Sequence, residues 1–558
     1  MPGYPSDVDW NALNSSVGGQ LIRYTPMEKV CYEGTFNAAV CSAMVEGGST
    51  YRYPEDPARV YTPYWTGYAC PLPSGPNAKA PLAASDCQQG NYPDYVIAAK
   101  NEDDIVAGVK FAEKHNVRLI VKNTGHEFIG KNLGFGSLSI WTKALVGSKW
   151  TGNWTPSSNV TLVREQAGKQ AAITFGPGFT GSAVTAEVEK HNQIIVGGAD
   201  PSVGIGGGWF MGGGHGPYSN QYGLGADNVL ELEVVTPTGE KVVANENSYP
   251  DLFWALRGGG PSTFGIVTKV TMKTYPKPIM NGALIMISPQ PGSTDSYYDA
   301  VAYLLSQMNN FTDFGLSGYP YLNSKSYTAF LMAPGKTLEQ VGAFLAPLSA
   351  RLKSYPNVTV VTSPYPVMRN FKRTDTPFAA YNISMPLARG NTASFTMGSR
   401  LLSRSKLGEK AIPALKKMLL GTIGASDNAY ILPYPNAGGQ VAKNRVIDNG
   451  VNPAWRDASM HFIIDENVDY EGIPASYGRV MEKYLPLLEG LSQDGAAYIN
   501  EGSRFEKDWK RTYYGGGKHY ERLLEVKRKY DPRNTMWCFP CVGADVFEEG
   551  VDMKLYVK

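Results

Sequence analysis

Apolar residues along this chain recur in two rhythms, and the switches between them mark its elements. Tyr95-Val-Ile-Ala-Ala reads as a strand, and Asn101-Glu-Asp-Asp opens a helix with acidic residues in its first turn. Ile105, Val109 and Ala112 form that helix's apolar face, which ends near His115-Asn116. Arg118-Leu-Ile-Val-Lys122 follows as a buried strand running straight into Asn123-Thr-Gly-His126. The result is a strand–helix–strand unit whose second strand delivers a loop to a ligand. Strands are also predicted at Ala172-Ile-Thr-Phe, Ile194-Ile-Val, Leu230 to Val235, Lys241-Val-Val and Phe264 to Met272, with helices at Gly181 to His191 and Asp251 to Arg257. From about 277 to 495, strands alternate with long helices, the pattern of a second α+β domain. The segment from 496 to 558 ends in an amphipathic helix, Tyr520 to Tyr530, closed by Asp531-Pro532. Residues 1–88 show weak periodicity and much Pro, Gly, Tyr and Ser, and read as an irregular leader packed on the segment 89–276.

Two glycine-bearing segments carry the chemistry. Gly197 to Gly216, GGADPSVGIGGGWFMGGGHG, is half glycine, and it follows VKNTGHEFIG at Val121 to Gly130. Glycine costs chain entropy, so such density signals close backbone approach to a large ligand or positive φ angles. A dinucleotide fingerprint does not fit the run, because Trp209 stands where the third glycine belongs, and no GK[ST] ends it. The letters GxGxxG do occur at Gly176-Pro-Gly-Phe-Thr-Gly181, a weak signal for a nicotinamide turn.

Composition narrows the partners. Of 558 residues, 52 are basic and 50 acidic, and no basic block stands out, which argues against nucleic acid or an anionic membrane as partner. No apolar run approaches the ~18 residues that span a bilayer. The 34 Tyr, 20 Phe and 10 Trp suit large clefts and sugar-like ligands, and equally a well-packed core. The first ten residues carry neither the charged nor the apolar region of a secretion signal. Six sequons (Asn14, Asn153, Asn159, Asn310, Asn357, Asn382) and three close cysteine pairs (Cys31/Cys41, Cys70/Cys87, Cys538/Cys541) nevertheless point to a secreted glycoprotein whose leader has been removed. Cys538-Phe-Pro-Cys541 lacks a second CxxC, so a disulfide or two quiet thiols is expected there, not zinc.

In order along the chain come Asn123-Thr-Gly-His126, Gly176-Pro-Gly178, the glycine run, Tyr222-Gly-Leu-Gly-Ala-Asp-Asn228, Phe253-Trp-Ala-Leu-Arg-Gly-Gly-Gly260 and Phe264-Gly-Ile-Val267. Asn452-Pro-Ala-Trp-Arg456, Tyr498-Ile-Asn-Glu501, Tyr514-Gly and the Tyr520–Pro532 helix follow. Together, from roughly Asn91 to Val542, they resemble the FAD-linked oxidases of the vanillyl-alcohol oxidase (VAO/PCMH) type, specifically the fungal berberine-bridge-enzyme-like (BBE-like) group. The resemblance implies an α+β protein: a two-part FAD-binding domain of the PCMH type, 89–276 with 496–558, and an inserted substrate domain, 277–495, whose antiparallel sheet roofs the flavin. It implies a covalent bond from His126 to the flavin 8α-methyl, with the backbone of Lys122, Asn123, Thr124 and Gly125 cradling the pyrophosphate. Gly206, Gly207, Gly208, Gly212, Gly213, Gly260, Gly265, Ile266, Val267 and Asn500 complete the expected cofactor contacts. Many members add a second flavin bond through a Cys that here is Asp200, so a single histidyl link is expected. Val203, three residues on, leaves the oxygen side of the ring accessible and leans towards oxidase chemistry.

Hydride transfer to flavin requires a base near the substrate. By resemblance, His215, His461 and Glu501 converge above the ring, with Tyr514 or its neighbour Tyr513 adding a phenol. His115 and His191 close helices and are read as dipole caps. The resulting expectation is a monomeric, secreted oxidase that takes hydride from an alcohol-type carbon of an oligosaccharide, phenolic or secondary-metabolite substrate and reduces O2 to H2O2, without metal. A dehydrogenase with another acceptor, and a non-catalytic flavin- or sugar-binding protein with a decayed site, stay open.

Overall fold

The computed structural model describes residues 3–48, 52–73, 81–157, 170–366 and 394–558. Its first sheet is the strand–helix–strand unit. Tyr95–Ala98, Leu138–Trp141 and Leu119–Lys122 run parallel in that spatial order, and the helix Glu102–His115 crosses between the first and the last. Asn101 caps this helix by accepting the Asp104 N–H. Ile105, Val109 and Ala112 bury against Ile97, Leu119 and Ile140.

A six-stranded antiparallel sheet follows. Ile266–Pro276 is central, flanked by Ala172–Phe175 and Val229–Val235, with Ser148–Thr151 and Lys241–Ala244 outside them, and Gln193–Ile195 pairs with its C-terminal end, Thr274–Pro276. The tail helix Gly517–Tyr530 returns to this core, where Leu523, Val526 and Tyr530 pack with Phe175, Val270 and Phe253.

The third sheet is antiparallel and nine-stranded, with the long strands Met280–Pro289, Tyr327–Pro334, Val358–Pro366 and Ala458–Val468. Period-2 alternation sorts its faces. Met460, Phe462 and Ile464 pack under the helices Thr294–Ser306, Leu338–Lys353 and Ile412–Gly421, so His461, Ile463 and Asp465 point to the opposite face.

The N-terminal segment departs from the expected irregular leader. It holds helices at Asp7–Ser16 and Ala38–Gly47, and Leu21–Arg23 adds an antiparallel strand to Tyr95–Ala98. Weak periodicity hid these elements because each is short and buries only a few residues, such as Trp10 and Leu13 under Phe111. Disulfides join Cys31–Cys41, Cys70–Cys87 and Cys538–Cys541, which resolves the last pair as a bond. His191 stacks on Trp150 at 4.1 Å and His115 packs on Phe111 at 4.5 Å, so aromatic contact accompanies any capping role. Asn153, Asn310 and Asn357 are exposed and Asn14 is half-buried, while Asn159 and Asn382 lie outside the described residues. Among the described residues no helix is long and apolar enough to cross a membrane.

Candidate active site

The loop after Leu119–Lys122 is held from below by the N-terminal segment. Lys122 is fully buried, and its Nζ donates to the carbonyls of Tyr53 (3.1 Å), Asp56 (2.8 Å) and Thr124 (3.4 Å). Burial pushes this ammonium down to about 7. Gly125 has φ +83°, and a Cβ there would lie 2.8 Å from the Arg59 carbonyl, so only glycine fits this approach. The Tyr61 N–H donates to the Gly125 carbonyl at 3.0 Å.

His126 is half-buried, stacked 5.0 Å from Tyr61 and edge-on to Phe128 at 5.2 Å. Burial lowers its pKa, which keeps the imidazole neutral and nucleophilic. Its Nδ1 lies 3.0 Å from the Tyr53 hydroxyl, which in turn lies 2.6 Å from Ser202 Oγ. Ser202 gives both its hydroxyl (2.6 Å) and its N–H (2.8 Å) to Asp200 Oδ1. The carboxylate that stands in the cysteine position is therefore tied to His126 through two hydroxyls. Tyr53 went unseen in the sequence because it lies 73 residues before His126 in a segment with no motif.

The glycine run threads between this loop and the second sheet. Cβ atoms on Gly206 and Gly207 would meet Phe175 at 2.8 Å and Asn123 at 2.7 Å, and one on Gly208 would meet Pro261 at 3.2 Å. One on Gly212 would meet Asn500 at 2.6 Å, whose amide donates to the carbonyls of Gly208 and Trp209. Gly213 has φ +124°, Gly260 bonds the Met211 carbonyl at 2.7 Å, and half-buried Val203 lies beside Gly198. Gly265 leads into the central strand, where Ile266 packs under the Glu102–His115 helix and Val267 in the second-sheet core. Only their backbone is thus placed for a cofactor.

The residues present fit FAD. Glycine backbone in close approach lies beside a loop that ends at a neutral histidine, and the buried Asn123 Oδ1 against Gly204 and Gly207 has no hydrogen-bond partner. His126, with the loop at Lys122–Gly125, would hold the group.

Three residues from distant segments meet at one carboxylate. His215 ends the glycine run, His461 lies on Ala458–Val468, and Glu501 closes the turn Ile499–Glu501. His215 Nε2 and His461 Nε2 lie 2.9 and 2.8 Å from the same oxygen, Glu501 Oε2. Both histidines are buried and the Glu501 side chain keeps 20 % exposure. Burial alone would raise the Glu501 pKa, but the pull of the imidazoles, His215 first, holds the carboxyl far below its ordinary range. Burial depresses His461, and Glu501 offsets part of that. The Glu501 charge also acts on His126, placing the cluster within reach of the flavin loop.

Aromatic rings enclose the cluster. Tyr498 stands edge-on to both histidines at 5.2 and 5.6 Å, and Trp455 lies 6.0 and 5.9 Å from them. Tyr319 and Tyr434 each lie 5.9 Å from the His215 ring, and burial together with the Glu501 charge keeps both phenols protonated.

Trp455 is positioned by a buried ion pair. Arg456 donates to both Asp227 oxygens (2.7 and 2.9 Å), and Asp227 also accepts from Asn444, Asn449 and the Leu224 N–H. Two sequence motifs, the one ending at Asn228 and the one ending at Arg456, are therefore halves of one joint.

Tyr514 does not join the cluster. Its hydroxyl donates to the Pro540 carbonyl at 2.8 Å within a core of Trp509, Tyr513 and Tyr520. Tyr513 is likewise engaged, with both polar groups of the Ser503 backbone. The family resemblance suggested a site residue, whereas the helix Trp509–Tyr514 buries both rings in the second-sheet core.

Farther along the same face of Ala458–Val468, Asp465 is fully buried opposite Tyr430. Its Oδ1 accepts the Thr396 N–H at 2.8 Å and its Oδ2 has no partner. Burial pushes this carboxyl up to about 7.

Comparison with known proteins agrees with this architecture. A family described as FAD binding domain matches residues 93–245, and one described as berberine and berberine like matches 497–538. The chain is 31 % identical to the VAO-type flavoprotein oxidase VAO615 of Thermothelomyces thermophilus over 98 % of this chain and 93 % of that protein. It is 30 % identical to the bifunctional decalin synthase calF of Penicillium decumbens, over 98 % and 92 %. The crystal structure of MtVAO713 from Myceliophthora thermophila C1 superposes with a TM-score of 0.88 at 27 % identity, covering all of this chain and 98 % of that one.

Proposed function

The chain belongs to the VAO-type, BBE-like family of FAD-linked oxidoreductases, and on that premise we propose that it is a secreted oxidase of an alcohol-type carbon, holding FAD through His126 alone. The observation that carries the proposal is the convergence of His215 and His461 on one oxygen of Glu501, in a chain whose neutral His126 stands on the loop packed against the glycine run.

Held at His126 and the Lys122–Gly125 loop, FAD would supply the acceptor for a substrate hydride, and dioxygen would take up the two electrons as hydrogen peroxide. The chain's own residues handle the substrate oxygen. Two N–H donors fix Glu501 Oε2, which leaves Oε1 to accept the substrate hydroxyl and to take its proton as the C–H bond breaks. Tyr319 and Tyr434, kept protonated, supply donors and flat faces, and Trp455 and Tyr498 exclude water from behind. Rings of this kind suit a hydroxylated sugar or phenolic ring. A relative named as a flavoprotein oxidase supports oxygen as acceptor, and one named as a decalin synthase supports a secondary metabolite. Disulfides and exposed sequons support secretion.

The test is anaerobic mixing with a panel of sugars, phenols and alcohols, followed by flavin absorbance. Bleaching by one class, reversed by air with peroxide formed, is expected. Bleaching that air leaves in place would replace the oxidase with a dehydrogenase. Yellow colour lost on acid precipitation would overturn the covalent link.

A further inference from the structure

Two imidazoles and a carboxylate whose ligand atoms all lie within 4.8 Å of one another can grip a divalent metal or hold a proton. The choice turns on Nε2 of each histidine. A metal needs a lone pair there, whereas a hydrogen bond to an ionised carboxylate needs N–H. Hydrogen-bond polarity, followed outward from His215, settles which one the chain has built.

His215 Nδ1 faces the Asn436 side-chain amide nitrogen at 3.2 Å. The orientation of that amide is not arbitrary. Its oxygen accepts the Gly318 backbone N–H at 2.9 Å, and exchanging oxygen and nitrogen would set two donors against each other. Asn436 therefore presents N–H to His215 Nδ1, and Nδ1 can only accept. A neutral imidazole that accepts at Nδ1 carries its proton at Nε2, where it meets Glu501 Oε2 at 2.9 Å. The imidazolium form is disfavoured as well, because it would turn a second donor towards the amide.

We infer that Asn436 is a positioning residue that locks His215 as an Nε2–H donor to Glu501, and that it thereby makes the cluster a proton-accepting carboxylate instead of a metal centre. This rests on the role of Glu501 given under Proposed function and adds the residue that enforces it. Asn436 is fully buried, comes from the segment between two roof strands and shares no motif with the histidines. Through Gly318, the neighbour of Tyr319 in the chain, it also links the protonation state of the cluster to the substrate-facing wall. A ligand that moved Tyr319 would act on the same amide.

The experiment uses the intact flavoprotein and needs no substrate. Selective 15N labelling of its six histidines reports which ring nitrogen carries hydrogen. The wild type is expected to show His215 neutral and protonated at Nε2, with no stoichiometric zinc on elemental analysis and no ligand-field bands on titration with Co2+. In Asn436→Asp both side-chain oxygens accept, so Gly318 keeps its bond and His215 gains a partner for Nδ1–H. Flanked by two carboxylates, the ring is expected to hold hydrogen on both nitrogens, so Nδ1 gains a proton while Co2+ still finds no lone pair at Nε2. The His215 nitrogen signal should move in the same variant, which a merely structural role would not produce.

One zinc per wild-type chain, or a wild-type His215 protonated at Nδ1, overturns the inference. So does an Asn436→Asp variant with an unchanged His215 nitrogen signal. The wild-type measurements stand alone if that variant does not fold. Failure to find covalent flavin or a bleaching substrate would defeat the oxidase reading while leaving each of these results decisive for Asn436.

Discussion

Asp465→Asn should stabilise the protein at alkaline pH and weaken it in acid. In the folded protein this buried carboxyl keeps its proton up to about 7, against 3.8 for the free group. Between those values the unfolded chain releases a proton that the folded chain retains, so this group's contribution to stability falls as pH rises from ~4 to ~7 and is flat above. Three units at ~1.36 kcal/mol each set a ceiling of about 4 kcal/mol on the penalty at pH 8. Asparagine removes that penalty and keeps the bond from the Thr396 N–H. It also places an amide where Oδ2 has no partner, which costs about 1–3 kcal/mol at every pH. The net is a gain of about 1–3 kcal/mol at pH 8 and a loss of about 1–3 kcal/mol at pH 4. The assay is the thermal midpoint of variant and wild type at fixed scan rate across that range, since a chain of this size can unfold irreversibly. A crossing of the two curves between pH 4 and 8 is the expected result. Parallel curves would refute the reasoning, because they would mean that Asp465 ionises normally in the folded protein.

Glu501→Gln removes the proton acceptor but preserves shape, and should slow substrate-dependent flavin reduction by about 10²–10⁴-fold with FAD content unchanged, read by anaerobic stopped flow. Tyr53→Phe breaks the chain from Asp200 to His126 and should make covalent incorporation several-fold slower, with total flavin retained, as followed by intact mass. Arg456→Met leaves Asp227 buried with no ionic partner and should cost about 3–5 kcal/mol, seen as a lower thermal midpoint and poor yield.

What could be read from the sequence follows the physics of each element. The Glu102–His115 helix and the strands around it were legible because a cap, a 3.6-residue face and a buried run coincide within a short window. The convergence of His215, His461 and Glu501 was legible because each sits in a motif of ordered neighbours. Leu21–Arg23 was missed because an edge strand of three residues has too few positions to show alternation. Tyr53 and Asn436 were missed for another reason: their meaning lies in a bond to a residue 73 or 221 positions away. Tyr514 was placed at the site by resemblance, but a motif position does not say which way a ring turns, and here its hydroxyl is spent on the Pro540 carbonyl within the core.

The sheet that bears the flavin loop has a consequence for how the protein folds. One of its edges is completed by Leu21–Arg23, and at the other the Leu119 N–H reaches the carbonyl of Thr535. The loop at His126 is therefore framed only once Leu21–Arg23 and Thr535, segments about 500 residues apart, have docked on one sheet. A substitution that loosens either segment is expected to act on the same loop.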